Sequence, residues 1–514
     1  MVKLRELLEG LGPLPVSGNP DTDITGIAYD SRKVRPGDLF IALSGTRTDG
    51  QRYLEEAVRR GAAGLIVRDL ADAKARGLNS SVALAETADT RWALARLADA
   101  FYGHPSGDLR VIGITGTNGK TTWTYLMESI FRAAGVRTGV IGTIAYRWDR
   151  GPDGGAETEL EAGQTTPEAP DLQGILRKMA DAEVEYCLLE VSSHGLSLDR
   201  VAGTAFEAAV FSNLTQDHLD YHETIDAYFE AKRSLFIRHS VRRAVVNLDD
   251  PYGKRIWADV KDTPAGEAGL TYGLSAPASV TARNVEIDGP GLRFRLAGPG
   301  GETPVRLRLA GSYNLYNALA AAAAGLSLEL PLEAVADGLH RLKNAPGRFE
   351  RIDRGQLFAV IVDYAHTEDA LRRVLTAARE LIGGRLIAVM GCGGDRDRSK
   401  RPRMGAAAAE VADHVVVTSD NPRTEDPEAI LAEIEPGILG LGAGRASHEM
   451  CVDRRAAIGR ALARAAPGDA VVIAGKGHEG YQIVGEKFLH FDDREEARKA
   501  LRALGYDSRE PDEM

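Results

Sequence analysis

The stretch Val-Ile-Gly-Ile-Thr-Gly-Thr-Asn-Gly-Lys-Thr-Thr, from Val111 to Thr122, constrains this chain more than any other. An apolar run enters a glycine turn, and a helical pattern with Leu126, Ile130 and Phe131 on one side leaves it. Strand, glycine loop and helix in that order make a phosphate-binding loop. The glycines let successive N–H groups turn toward phosphate oxygens, and the helix start adds its dipole. Gly116, Thr117, Asn118, Gly119, Lys120, Thr121 and Thr122 are thus predicted to hold a nucleotide triphosphate, Lys120 by its charge and Thr121 by a hydroxyl offered to Mg²⁺. A bare glycine turn before an ordinary helix is the alternative.

Around this loop, 514 residues allow about three domains. Apolar residues make up 44% of the chain, enough for several cores. The net charge of −11 argues against a general nucleic-acid or membrane-surface binder. Cys187, Cys392 and Cys451 are far apart, lack zinc spacing and read as small buried hydrophobes in a reducing compartment. Lys3, Arg5 and Glu6 interrupt the N-terminus, which does not read as a signal peptide, and the longest uncharged apolar segment, 318–328, is too short to span a bilayer. A soluble cytoplasmic protein is expected, with no nucleic-acid partner and no membrane insertion.

The pattern along the chain predicts an α/β protein of three domains. Residues 1–105 mix short helices (4–8, 53–60) with strands (one within 24–32 that runs into a polar turn, 37–43, 64–67) in a small α/β domain. Breakers at 102–107 mark a linker. Residues 106–342 carry strands at 111–114, 139–145, 186–191, 208–212 and 243–247, which predicts a P-loop NTPase-like, mostly parallel sheet covered on both faces. The acidic, glycine-rich stretch 148–163 reads as a surface loop, 270–310 as a β insertion, and 314–328 as an alanine-rich helix. A second linker at 343–350 opens residues 343–514, a Rossmann-like α/β domain. Its four apolar strands, 359–363, 385–390, 414–418 and 470–474, each run into a polar or glycine-rich loop, where such sheets hold ligands.

Several side chains carry candidate chemistry. Glu190 ends a strand just before Ser192-Ser193-His194; it can join Thr121 on Mg²⁺, or be a strand-end acid in water. Within 213–222, the aspartates and histidines suit a metal, whereas Thr215 or Asp217 suits a helix cap. Lys232 stands among Tyr228, Phe229, Leu235 and Phe236 at helical spacing, and periodicity alone makes it a solvated helix lysine. Asp30-Ser31-Arg32 reads as turn chemistry. Arg396, Arg398, Lys400, Arg401, Arg403 and Arg423 gather positive charge in an acidic chain, and guanidinium forks suit carboxylates. Arg423, set behind Asn-Pro, is the most specific of them.

Taken in order, Gly116 to Thr122, Glu190-Val-Ser-Ser-His194, Asn213-Leu-Thr-Gln-Asp-His218, Asn314-Leu-Tyr-Asn317, Gly347-Arg-Phe-Glu350 and Asp363-Tyr-Ala-His366 resemble the Mur ligase family, the ATP-dependent amide-bond ligases of peptidoglycan precursor synthesis. The resemblance covers essentially the whole chain. Gly391-Cys-Gly-Gly-Asp-Arg-Asp397, Asp420-Asn-Pro-Arg423 and Gly475-Lys-Gly-His-Glu479 are similar to the branch that adds the third amino acid, and Asp-Asn-Pro-Arg to its diaminopimelate-adding members.

The resemblance implies ATP and Mg²⁺, a UDP-N-acetylmuramoyl-dipeptide and meso-2,6-diaminopimelate as small-molecule partners, and a monomer. It implies that Tyr29, Ser31, Thr46, Arg47 and Thr48 hold the uridine end, and Gln164, Thr165, Thr166, Ser192 and Arg200 the sugar-peptide. ATP would fall to the phosphate loop with Asn317, Arg348 and Asp363. One Mg²⁺ would fall to Thr121 and Glu190, and a second to Glu190, His218 and an N-carboxylated Lys232. Lys120, Glu190, His218, Lys232 and Arg348 would form the catalytic set. Arg396, Asp420, Asn421, Pro422, Arg423, Gly475 and Glu479 would hold diaminopimelate, with Arg423 on a carboxylate and Glu479 on an ammonium. Some relatives carry glutamine where Leu198 stands, and leucine cannot make that hydrogen bond to the sugar-peptide. The rival readings are the same ligase adding L-lysine or L-ornithine, a P-loop NTPase conformational switch, and a folate-polyglutamate-type ligase.

Overall fold

The computed structural model describes residues 1–43, 49–78, 82–150, 155–275, 277–288, 291–442 and 446–506. Among these residues the chain builds large sheets of five, eight and six strands, one after another along the sequence. The first runs Val16–Ser17, Ala83–Glu86, Gly64–Val67, Asp38–Ile41, Gly26–Ala28, parallel except at Val16–Ser17. Its middle strands are buried end to end because both faces are covered. Phe40 and Leu65 pack with Leu54 and Ala57 on one side, and Leu39 and Ile66 with Leu94 and Leu97 on the other.

The eight-stranded sheet runs Gly155–Glu161, Ala145–Arg150, Thr138–Ile141, Tyr186–Glu190, Arg110–Thr115, Phe206–Phe211, Ala244–Asn247, Leu270–Tyr272. From Thr138–Ile141 onward every pairing is parallel. The helix Lys120–Ala133 turns Trp123, Leu126, Met127, Ile130 and Phe131 onto one face, beside the alanine-rich helix Ser312–Ser327. Helices Ala169–Asp181 and Ile225–Ile237 cover the other face with Leu172, Leu176, Met179, Tyr228, Phe229 and Leu235. The expected β insertion is a three-stranded antiparallel sheet, Thr281–Asp288, Gly291–Gly298 and Gly301–Leu307.

Two expectations are corrected here. Residues 139–145 are not one strand: the first stops at Ile141 and the next starts at Ala145. A Cβ on the intervening Gly142 would lie 3.0 Å from Glu190 Cδ, so the backbone leaves the sheet to pass that carboxylate. The stretch 148–163 is not simply a surface loop. Ala145–Arg150 and Gly155–Glu161 pair as an antiparallel hairpin on the sheet edge, with Tyr146, Arg147 and Trp148 all buried. Arg147, paired with Glu128 (2.5 Å) and stacked on Tyr125, puts a buried charge inside the strand and hides it from an apolar reading. Residues 151–154 of that stretch lie outside the described ones.

The six-stranded sheet runs Glu350–Arg351, Ala359–Asp363, Ala470–Ala474, Leu386–Met390, His414–Thr418, Ser447–Cys451, parallel except for the first pairing. Beyond the four expected strands, the sheet takes in Glu350–Arg351 and Ser447–Cys451, and Tyr481–Val484 pairs with Lys487–His490 as a separate hairpin; none of these is the buried apolar run that marks the four. Asp363, Met390, Thr418 and Ala474 end parallel strands at one edge, so the loops after them converge. Cys187, Cys392 and Cys451 are free and buried. Among the described residues no helix is long and apolar enough to cross a membrane.

Candidate functional site

The strand Arg110–Thr115 delivers the phosphate loop at the edge of the central sheet. Gly116 and Gly119 have φ of 144° and 91°. A Cβ on Gly116 would overlap Ser212 Oγ, and one on Gly119 would overlap Asn317 Oδ1, so both positions need glycine. The loop is tied from below. Thr117 N donates to Asn213 O (2.8 Å), Asn118 N to Asn213 Oδ1 (3.1 Å), and Ser212 Oγ to Asn118 O (2.7 Å). Lys120 folds over it, its Nζ donating to Gly116 O (2.8 Å) and Thr117 O (2.9 Å). Burial pushes the Lys120 pKa down, and the nearby Glu190 opposes the shift.

Glu190 ends the neighbouring strand at 1% exposure, so it is not an acid in water. Its Oε2 accepts from Thr121 Oγ1 (3.1 Å) and Thr143 Oγ1 (2.9 Å), and its Oε1 from Thr143 N (3.2 Å). Arg348 reaches across from the third sheet and donates Nη2 to Thr121 Oγ1 (3.1 Å). A hydroxyl and a carboxylate side by side are the hard oxygen donors that suit Mg²⁺. Among the described residues no three His, Cys, Asp or Glu side chains gather at metal-ligand spacing. The expected donor set has a hydroxyl and a lysine in it, and so is not of that kind.

The solvated reading of Lys232 is corrected. It is 1% exposed, because Tyr228, Phe229 and Leu235 turn its helix face inward. Its Nζ donates to Gly116 O at 2.8 Å, the same carbonyl that takes Lys120, and lies 4.5 Å from the centroid of Tyr228. Burial, then Lys120, holds its pKa well below the usual lysine value. That favours the neutral amine, the form that reacts with CO₂, so the site fits an N-carboxylated lysine.

The helix-cap reading of Thr215 and Asp217 is also corrected. The short helix Leu219–His222 has no side-chain cap; Asp217 Oδ1 accepts from His218 N (2.9 Å), and Thr215 N donates to Thr117 Oγ1 (3.0 Å). His218 has φ 53°, and its ring lies 3.4 Å from Asp217 and edge-on to His194 with centroids 4.9 Å apart. Its partial burial lowers its pKa, so the neutral imidazole keeps a lone pair for a metal.

Asn317 Nδ2 donates to Asn314 Oδ1 (3.1 Å), which sets its amide against Gly119. Asp363 accepts from Phe349 N (2.7 Å) and Ala365 N (2.8 Å), so it holds the turn that carries Arg348; burial pushes its carboxyl pKa up. Arg348 lies 4.4 Å over the Tyr364 ring. Thr117, Asn118, Gly119, Lys120, Thr121 and Thr122, with Glu190, His218, Asn317, Arg348 and Asp363, line a cavity of about 590 Å³.

Next to it stand the expected sugar-peptide residues. Thr166 Oγ1 donates to Glu190 O (2.8 Å) and accepts from Ser192 N (2.9 Å), while Ser192 Oγ accepts from Gly195 N (3.0 Å). Arg200 donates to Thr166 O (2.9 Å) and pairs with Glu168 (2.8 Å). Thr165 meets Thr143 hydroxyl to hydroxyl (3.1 Å), and Gln164 O accepts from Tyr146 OH (2.6 Å). Leu198 is half-buried just after the helix Ser193–Ser197. Tyr29 OH donates to Asp171 Oδ2 (2.7 Å), and both line a cavity of about 580 Å³ that also reaches Gln164. Ser31 does not line it; its hydroxyl donates to Glu56 (3.0 Å), and Asp30 pairs with Arg32 (2.8 Å) as turn chemistry expects. Thr46, Arg47 and Thr48 lie outside the described residues.

Arg396, Asp420, Asn421, Arg423, Gly475 and Glu479 line a third cavity, of about 1300 Å³, which extends to Gln164, Thr165 and His218. Pro422 does not line it, but its carbonyl packs where Gly394 has no Cβ. Arg423 has φ 52°, donates its N to Ile483 O (3.0 Å) and its Nη1 to Gly394 O (2.8 Å). Burial, then Arg396, depresses its pKa. Arg401 turns instead to Glu425 and Glu433 (2.8 Å each), Arg398 pairs with Glu433, and Arg403 donates to Gln216 (2.9 Å).

Sequence reasoning passes over Thr143 and Lys476. Thr143 binds Glu190 and Thr165 together; its signal is its place just past the end of a parallel strand. Lys476 bonds Asn421 and Glu479 from behind the cavity wall, and a lysine in a glycine loop reads as exposed by default.

The chain matches three family descriptions in order: Mur ligase family, catalytic domain, over residues 23–102; Mur ligase middle domain, over 114–325; and Mur ligase, glutamate ligase domain, over 347–477. A curated protein of Gloeobacter violaceus, UDP-N-acetylmuramoyl-L-alanyl-D-glutamate--2,6-diaminopimelate ligase, is 48% identical over 97% of this chain and 98% of its own. The Bacillus licheniformis protein of the same name is 43% identical over 98% of this chain and 100% of its own. A solved structure of a ligase so named is similar with a TM-score of 0.68 at 36% identity, covering 98% of this chain and 99% of that one.

Proposed function

Because the chain belongs to the Mur ligase family, we propose that it joins meso-2,6-diaminopimelate to the D-glutamate γ-carboxylate of UDP-N-acetylmuramoyl-L-alanyl-D-glutamate, turning ATP into ADP and phosphate. The observation that supports this reading is that the two cavities adjoin across a shared wall. Thr143, Thr165, Asp217, His218, Tyr364 and His366 line both the cavity at Lys120 and the cavity at Arg423. A carboxylate presented there can meet a triphosphate on one side and an amine on the other. Residues 1–105 serve the uridine end, 106–342 ATP, and 343–514 the incoming amino acid. The protein acts as a cytoplasmic monomer.

A carboxylate resists direct amination because oxide would have to leave. In the first step a γ-carboxylate oxygen bonds to the ATP γ-phosphorus, and the bond to the bridging oxygen breaks with its electron pair going to ADP. In the second step the diaminopimelate amine, having lost a proton to water, attacks the acyl carbon. The tetrahedral intermediate expels phosphate and the nitrogen releases its extra proton. Lys120 and Arg348 set positive charge where anion meets anion. Thr121 and Glu190 would hold one Mg²⁺, and Glu190, His218 and the N-carboxylated Lys232 a second, which when bound neutralise phosphate charge. Conversion of Lys232 to a carbamate replaces a cation that would repel such ions with an anion that attracts them. Arg348 to Thr121 (3.1 Å), Asn118 to Asp369 (3.2 Å) and Arg403 to Gln216 (2.9 Å) clasp the second and third sheets, so that the acyl phosphate is shielded from water. Arg423 offers its guanidinium to the second carboxylate of diaminopimelate; L-lysine has none and would leave it unpaired.

The test is purified protein with ATP, Mg²⁺, the UDP-linked dipeptide and, side by side, diaminopimelate, L-lysine and L-ornithine, with product mass and ADP read together. Mass gain is expected with diaminopimelate alone. Rapid ATP turnover without the dipeptide would overturn the ligase, and an equal yield with L-lysine would overturn the role of Arg423.

A further inference from the structure

Lys476 lies in the loop after Ala470–Ala474 at 0% exposure, and the reaction above gives it no task. Its Nζ lies 3.1 Å from Glu479 Oε2, 3.2 Å from Asn421 Oδ1 and 4.0 Å from Asp420 Oδ1. Those three partners line the large cavity, whereas Lys476 does not. The ammonium therefore sits behind the wall and touches the groups that form its charged face. Asn421 knits this network together: its Nδ2 donates to Glu479 Oε2 (3.0 Å), and its Oδ1 also accepts from Ile483 N (2.9 Å). Both hydrogen bonds to Glu479 end on Oε2, which leaves Oε1 as the oxygen to meet an incoming group.

Packing alone does not explain a lysine here. A buried ammonium is costly to desolvate, and methionine fills a similar volume without a charge. What the ammonium supplies and methionine does not is a cation 3.1 Å from Glu479 and 4.0 Å from Asp420, nearer to Glu479 than to Asp420, which Arg454 and Arg423 also attract. We propose that Lys476 is a positioning residue for the incoming amino acid: it orients Glu479 and holds Asp420 and Glu479 together as the anionic wall that recognises the substrate's ammonium. This rests on the reading that the large cavity takes diaminopimelate.

A purely structural lysine and a positioning lysine differ in what they move. Wild-type protein is first shown to consume diaminopimelate; if it does not, the functional reading falls and this inference with it. Lys476→Met is then expected to raise KM for diaminopimelate about 30-fold, the scale of a lost hydrogen bond to a charged group, while KM for ATP and for the UDP-linked dipeptide stay within about twofold. Glu479→Gln supplies the second background. Adding Lys476→Met to it removes both charges of the pair and is expected to cost no more than about twofold beyond Glu479→Gln alone. That comparison also serves if the single variant does not fold. An unchanged KM for diaminopimelate, equal rises in all three KM values, or losses that multiply in the double variant would overturn the proposal.

Discussion

Gly119→Ala tests the phosphate loop through two separable costs. The residue has φ 91°, and a Cβ there would overlap Asn317 Oδ1 and lie 3.1 Å from Asn317 Cγ. Left-handed backbone costs an L residue about 1–2 kcal/mol. Forcing a methyl into a filled contact costs about 1–3 kcal/mol more. Asn317 cannot simply swing aside, because its Nδ2 is held by Asn314 Oδ1 (3.1 Å) on the same buried helix. Asn317→Ala removes the obstructing oxygen and leaves the backbone cost in place. At about 2–4 °C per kcal/mol for a unit of this size, Gly119→Ala should lower the Tm of nucleotide-free protein by roughly 10 °C. In the Asn317→Ala background the further fall should be about half that or less, since only the backbone term of about 1–2 kcal/mol is left. Calorimetric titration with ATP runs beside the unfolding scans, and affinity is expected to be lost in both backgrounds because the methyl stays in the loop. Equal Tm falls in the two backgrounds would refute the contact. Wild-type ATP affinity in Gly119→Ala would refute the phosphate-binding role itself.

Lys232→Ala should abolish ligation, with activity partly restored by a short added carboxylic acid and not by bicarbonate. Full activity, or a loss that no acid repairs, would count against the carbamate. Arg423→Ala should lower kcat/KM for diaminopimelate by about 100-fold, the scale of a lost charge-assisted pair, and change trace activity with L-lysine little; equal losses on both amino acids would leave Arg423 without a part in selection. His239 lies edge-on to Phe206, and burial, then Arg238, holds its pKa down to about 4. Between its unfolded pKa of about 6.5 and that value the unfolded chain takes up a proton the folded chain refuses, so stability falls as pH falls, by up to about 1.4 kcal/mol per pH unit. His239→Phe should therefore flatten the acid side of a stability–pH curve from urea unfolding, and parallel curves for the two proteins would sink this account.

How far the sequence reveals such a molecule depends on whether one local rule decides. Ala359–Asp363, His414–Thr418 and Ala470–Ala474 are legible because a strand buried on both faces is an unbroken apolar run. The hairpin Ala145–Arg150 with Gly155–Glu161 is not, because a buried charge, Arg147, stands between Tyr146 and Trp148 and is offset by Glu128 from another element. The site divides the same way. Its residue types stand in short motifs, but their pairing comes from topology: Lys232 meets Gly116 O from 116 residues away, and Lys476 meets Asn421 from 55. No periodicity can find such a cation, since the carbonyl of Gly116 or the amide of Asn421 that helps offset its burial belongs to another strand's end.

The partners also separate the buried cations from one another. Arg454 is matched by Asp493 at 2.7 Å, Arg401 by Glu425 and Glu433 at 2.8 Å, and Lys476 by Glu479 at 3.1 Å. Lys232 is different: among the described residues it has no ion-pair partner, only a carbonyl and the face of Tyr228, with Lys120 on the same carbonyl. An ammonium buried without a carboxylate, beside a second ammonium, is the least stable charge state available to it. Either the nitrogen sheds its proton, or it gains a negative group that turns the repulsion of Lys120 into attraction. A carbamate would do both, so the arrangement that makes Lys232 unfavourable as a lysine is the one a carbamate would relieve.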